Sequence, residues 1–193
     1  MLRISLSGIG PILKKVPDMH RRADISGLFI AGGQLLAPNE TQEHLILHKK
    51  GKAPLRDIFG TRSGAMIVSE NLRLLMEELD PGCHQFLSLS IDNRPDAAPR
   101  YILNVHATKD SVIDDQSDVK PNPLSTGRDN MYFSYNSYDK GPRNIAFSAA
   151  ALDGPHAWRE RRYRHSLLIS DAFATAINER QLRIFPMRQA RKS

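Results

Sequence analysis

The sequence predicts an α+β fold: a mostly antiparallel sheet with at least two amphipathic helices. Three observations predict it. Residues 67–79 and 168–180 carry one pattern: two apolar residues, a serine, an acid, then an apolar stripe at helical spacing. Each stretch is followed by a strand-like run, 84–91 and 182–187. A further run, 101–106, lies one short loop beyond the first, as in an antiparallel hairpin. The matching stretches read as strand–helix pseudo-repeats, by ancestry or by chance. The 193 residues then make a single domain, 1–193, or two closely packed similar halves.

Residues 2–6 read as a weak strand, followed by a basic segment broken by Gly and Pro up to residue 24. Residues 25–36 are apolar with Gly27, Gly32 and Gly33, which suits one or two short strands and a turn. Residues 43–48 fit a strand or a helical turn, and 54–60 lead into the first repeated stretch. Ser69 suits a helix N-cap, because its oxygen can accept from a free N–H of the first turn. Glu70 follows where negative charge suits the helix dipole. Leu72, Leu75, Met76 and Leu79 form one apolar face, and Pro81-Gly82 stops the helix. Residues 94–99 form the loop of the hairpin.

Composition shifts at Asp110. From about 110 to 143 the chain is a polar loop or insertion, poor in Leu, Ile and Val. Within it, Met131-Tyr-Phe-Ser-Tyr-Asn-Ser-Tyr138 holds three of the five tyrosines. Such a mixture suits an adaptable recognition surface; it equally suits a β-hairpin arm whose aromatics cover a core. Strand character resumes at 144–147. Ser170, Asp171, Phe173, Ala176 and Ile177 then repeat the cap, acid and stripe of the first helix, and residues 188–193 form a basic tail.

The composition, 40% hydrophobic and 25% charged, is that of a soluble globular protein. No run approaches the ~18 apolar residues of a membrane span. Residues 1–16 lack the apolar core of a secretory signal. Cys83 is the only cysteine, so no internal disulfide and no multi-cysteine zinc site can form, which fits the cytoplasm. A small buried role is expected for it after the Pro-Gly turn. The net charge is +6, clustered at Lys49, Lys50 and Lys52, at Arg159, Arg161, Arg162 and Arg164, and in the tail. Such charge speaks to partners and solubility, not to fold.

Known chemical motifs are missing. The chain has no phosphate loop, no H-E-x-x-H, no G-x-S-x-G and no paired cysteines. Gly8-Ile-Gly10 and Gly32-Gly33 are too short for a phosphate cradle. His44 and His48 share one side of a helix or a strand, but no third metal ligand is identifiable. Glu77, Glu78 and Asp80 at the helix end are expected to face solvent. A Ser–His–Asp set remains open, since its members can be far apart in sequence. No catalytic, cofactor or metal residue is assigned. The candidates for contact with a partner are Tyr132, Tyr135, Tyr138, Trp158, Arg159, Arg161 and Arg162, because aromatics and Arg dominate binding hot spots. Trp158 fits a core position as well as an interface anchor.

The run from Val68 through Ser-Glu, Pro-Gly and His-Gln-Phe86 resembles a family of bacterial immunity proteins from polymorphic-toxin systems. Tyr101-Ile-Leu-Asn-Val105 is similar to that family's next strand, Gly154-Pro-His-Ala-Trp-Arg159 to its short turn, and Leu168-Ile-Ser-Asp-Ala-Phe173 to its last strand–helix unit. The resemblance spans roughly 54–187 with a gap over 110–143; the first 50 residues and the Tyr-rich insertion have no clear counterpart. It implies a small cytoplasmic protein, encoded beside a toxin, that neutralises the toxin by tight binding without catalysis or cofactor. It transfers no site residue. The expected partner is a cognate toxin domain from an adjacent gene, with no membrane; homo-oligomerisation stays open. The basic balance is unusual for a nuclease blocker, so the toxin's contact face is expected to be acidic or neutral. Nucleic-acid binding through the basic patches and an enzyme of unrecognised type are the alternatives.

Overall fold

The structure, a computed structural model, describes residues 2–4, 35–36, 44–45, 54–61, 65–92, 94, 97–117, 120–121, 132–133, 145–162, 167–189 and 191–192. In chain order the elements are β1 (Leu2–Ile4), β2 (His44–Leu45), β3 (Ile58–Gly60), β4 (Met66–Ser69), α1 (Glu70–Leu79), β5 (His84–Ile91) and β6 (Arg100–Val105). There follow β7 (Thr108–Lys109), β8 (Lys120–Pro121), β9 (Tyr132–Phe133), β10 (Ala146–Phe147), β11 (Ala157–Glu160), β12 (Leu167–Ile169), α2 (Asp171–Glu179), β13 (Met187–Gln189) and β14 (Arg191–Lys192). Most of the predicted strands at 25–36 lie outside the described residues.

Two five-stranded sheets carry the architecture, in the orders β2-β5-β6-β4-β3 and β13-β1-β12-β11-β7. Their pairings are antiparallel except β2 with β5 and β7 with β11. The α+β reading of the sequence therefore holds.

The two matching stretches belong to larger matching units, each an antiparallel hairpin that feeds a helix. In the first, β3 pairs with β4, Ile58 opposite Val68. In the second, β11 pairs with β12, Ala157 opposite Ile169. Ser69 Oγ accepts from Leu72 N at 3.2 Å, and Ser170 Oγ from Phe173 N at 3.1 Å, so both caps form. Each capping serine also reaches back to the residue before its hairpin. Ser69 donates its backbone N–H to Asp57 O and its hydroxyl to Asp57 Oδ1. Ser170 donates its N–H to His156 O, and its hydroxyl lies 2.7 Å from His156 Nδ1.

The units are also tied to each other reciprocally. Asp80, just past α1, accepts the N–H groups of His156 and Ala157 at 2.7 and 2.9 Å. Asp57 exchanges backbone and side-chain bonds with Arg183, just past α2. Asp80 was expected to face solvent, yet it is 4% exposed. The reason is that it satisfies donors at the start of the other hairpin, which sequence spacing does not disclose. Residues 182–186 likewise do not form the expected strand; regular pairing resumes only at Met187. The Asp57 bonds engage Arg183, and Pro186 has no N–H to give a ladder.

One central core joins the units. Met66, Val68, Leu72, Leu75 and Met76 meet Ala157, Leu167, Ile169, Phe173 and Ile177 there. The opposite face of the first sheet packs Ile67, Leu89, Ile91 and Ile102 with Leu36. The opposite face of the second sheet packs Trp158 and Leu168 with Val112, Ile145 and Phe147. The period-two alternation of β4 and β11 puts neighbouring residues in different cores. Cys83 is half-buried, more open than expected.

Candidate functional site

The cluster of Trp158 and Leu168 with Val112, Ile145 and Phe147 leads to the root of the 110–143 insertion. Strand β11 runs beside β7, and the chain leaves β7 at Lys109 to enter the insertion. Glu160, the last residue of β11, is 0% exposed. Its Oε2 accepts the backbone N–H of Ser111 at 2.6 Å, the Ser111 hydroxyl, and the N–H of Val112 at 3.1 Å. Arg162 bridges the same segment. Its guanidinium pairs with Asp110 at 2.8 Å and Asp114 at 2.7 Å, and donates to Val112 O at 2.6 Å. The start of the polar insertion is thus clamped to the sheet, with Ser111 and Val112 buried, where composition alone suggests an unanchored loop.

Lys109 closes the other side. Its ammonium donates to the carbonyls of Ala151, Asp153 and Pro155 at 2.8–2.9 Å and stands 4.1 Å from the Trp158 ring centroid. Burial lowers its pKa, while Asp80 and Asp153 oppose the shift. This cation holds the 3₁₀ turn Ala149–Leu152 and its exit against β11.

The predicted contact residues divide here. Arg161 is exposed, with its N–H donated to Lys109 O. Arg162 is largely covered, with 18% of its side chain exposed. Trp158 and Arg159 are inside the protein, at 0% and 1% exposure, so neither presents a surface to a partner in this conformation. Arg159 points towards the central core, its Nη2 3.8 Å from Met66 Sδ, and burial pulls its guanidinium down to about 10. Tyr132 lies in β9, opposite Pro121 of β8. Tyr135 and Tyr138 lie outside the described residues. Sequence reasoning missed Glu160 and Lys109; the only hint was an acid next to a Trp-Arg strand.

The reactive-looking pairs are accounted for by folding. Ser170 and His156 touch, but Ser69 and Asp57 make the same contact in the other unit. A shared position with different chemistry marks a structural clip. Asp80 binds the backbone of His156, not its ring, and its Oδ2 lies 3.2 Å from buried His84 Nε2. Burial lowers the His84 pKa, against the opposing pull of Asp80. Among the described residues no cluster of His, Cys, Asp and Glu could hold a metal ion, and no helix is long and apolar enough to cross a membrane.

The defining pattern of the immunity protein family Imm11 matches residues 1–192. The chain belongs to this immunity protein family. The Imm11 match extends beyond the 54–187 stretch that carried the resemblance, and takes in the first 50 residues and the Tyr-rich insertion. No curated protein matches the chain.

Proposed function

We propose that this protein neutralises a cognate bacterial toxin by binding it and covering its working surface, without catalysis and without a cofactor. The observation that carries the reading is the immunity-family match across residues 1–192. The gene of the toxin lies beside its own, and the two meet in the cytoplasm. The contact surface centres on the insertion, with Tyr132, Tyr135 and Tyr138 and the exposed Arg161 at its root. Trp158 and Arg162 hold the root of the insertion in place, and Arg159, turned towards the central core, takes no part in the contact. The clamp at Glu160 and Arg162 favours this division, because a rigid root lowers the ordering cost of a recognition loop.

Nucleic-acid binding is the weaker reading. Several arginines are paired with acids of the same chain: Arg73 with Glu70, Arg162 with Asp110 and Asp114, and Arg180 with Glu78. Their charge is partly neutralised before any phosphate arrives.

The test is co-expression with the toxin domain encoded by the neighbouring gene. Cells should survive, and the two proteins should co-purify. Tyr135→Ala with Tyr138→Ala should weaken the complex while thermal stability stays within about 1 kcal/mol. Full protection by the double variant would move the contact away from the insertion.

A further inference from the structure

The two sheets match strand for strand beyond their hairpins. Without β2 and β7 their orders are β5-β6-β4-β3 and β13-β1-β12-β11, antiparallel throughout. The register matches as well. In the first sheet Ile67 stands opposite Ile102, and Ile102 opposite Leu87. In the second, Leu168 stands opposite Arg3, and Arg3 opposite Arg188. One residue to one side, Met66, Leu103 and Phe86 correspond to Leu167, Ile4 and Met187. One residue to the other side, Val68, Tyr101 and Ser88 correspond to Ile169, Leu2 and Gln189. Ile67 and Leu168 each stand two residues before a capping serine, which fixes the equivalence. Strand β1 therefore holds, position for position, the place of β6. Only the connection differs. Strand β6 follows β5 through one hairpin loop, whereas β1 precedes the whole first unit and pairs with strands of the second. The second unit is a circularly permuted form of the first, and its fourth strand arrives from outside the unit.

We propose that the groove between β12 and β13 is a peptide-binding site, which takes an extended segment by antiparallel backbone pairing along both edges and has β1 as its resident ligand. A central strand turns its N–H and C=O groups to both neighbours. Without β1 the groove presents two facing rows of such groups, which another extended backbone satisfies together. The walls add selection by side chain. Leu167 and Ile169 of β12 belong to the central core, and Met187 of β13 packs against it. Leu168 belongs to the core on the opposite face. Such walls suit a segment with apolar residues at alternate positions, as Leu2 and Ile4 are in the sequence. The length of chain between β1 and the groove adds little cost, because closure entropy grows only with the logarithm of loop length. No hairpin secures β1 to its neighbours, so pairing and packing must hold it. The same forces act on a strand that is not joined to the chain. The site stands apart from the toxin contact and does not depend on it.

The test uses the full-length protein with a specific protease site inserted after Gly8, cleaved once folded. The peptide of residues 1–8 should stay with the remainder through gel filtration. A fluorescent synthetic peptide of the same eight residues should then replace it saturably, in urea just below the unfolding midpoint so that opening does not limit exchange. The same peptide carrying Ile4→Pro keeps the charge but lacks one N–H, and proline does not fit a central strand. It should bind more weakly by on the order of tenfold or more. If the cleaved protein loses stability when its peptide leaves, added authentic peptide should restore the melting temperature and the Ile4→Pro peptide should not. Loss of the peptide on cleavage, with the amide resonances of Leu167–Ile169 and Met187–Gln189 unchanged, would overturn the site. Equal binding of the Ile4→Pro peptide would overturn strand pairing as its mode. A peptide that stays but yields to no excess would overturn β1 as a separable ligand, as would a melting temperature that no peptide restores.

Discussion

Replacing Asp80 by alanine should destabilise this protein far more than an acid at a helix end ordinarily would. Asp80 Oδ1 holds His156 N at 2.7 Å, and Oδ2 holds Ala157 N at 2.9 Å and approaches His84 Nε2 at 3.2 Å. Ala157 is 0% exposed, so water cannot take over its donor without opening the structure. Each orphaned buried donor costs about 1–3 kcal/mol. Two such donors, on His156 and Ala157, set an expected total of about 2–6 kcal/mol. For a chain of this size that converts to a fall in Tm of roughly 4–24 °C. The control is Glu78→Ala, which breaks an exposed pair with Arg180 and should cost less than about 1 kcal/mol. Asp80→Asn keeps one acceptor and should fall between them. Urea and thermal melts followed by Trp158 fluorescence read the loss directly, since Trp158 follows Ala157 on β11. If Asp80→Ala melts with Glu78→Ala, Asp80 faces solvent and the reciprocal tie between the units is wrong.

Three more perturbations have definite signs. Burial lowers the His84 pKa below 6.5, so as pH falls through 6.5 the unfolded chain takes up its proton first. His84 therefore favours full stability above pH 6.5 and a loss below it, down to the lowered folded value; urea melts on either side of pH 6.5 should show this, and His84→Gln should flatten the dependence. Glu160→Ala strands the N–H groups of Ser111 and Val112 at the root of the insertion and should cost about 2–4 kcal/mol, with faster amide exchange over 111–117; unchanged exchange would remove the clamp. Gln181 closes α2 with a left-handed φ of 53°, and its N–H reaches Asn178 O while that of Leu182 reaches Ile177 O. Gln181→Gly should therefore raise stability by about 0.5–1 kcal/mol in a denaturant titration, and a decrease would contradict the capping geometry.

The helices were legible because their signals are local. Ser69 and Ser170 cap as their sequence neighbours suggest, and the stripe at Leu72, Leu75 and Met76 is buried as its spacing requires. Strand β5 was legible from its Pro-Gly start and its apolar run. What escaped was every feature set by a partner distant in sequence. Asp80 and His156 are 76 positions apart, and Glu160 and Ser111 are 49 apart. No periodicity within either segment encodes those meetings. The burial of Arg159 belongs to the same class: a basic run looks solvated, but β11 alternates between two cores and carries its arginine inward.

The central claim is that the protein acts through the surface it presents and not through a reaction it performs. The most direct measurement is an activity titration of the adjacent-gene toxin with the purified protein, well above their dissociation constant. Occlusion predicts a linear fall in toxin activity that reaches zero at equimolar protein and is regained when the complex is separated. Complete and lasting inactivation by a small fraction of an equivalent would contradict it, because only turnover lets one molecule disarm many.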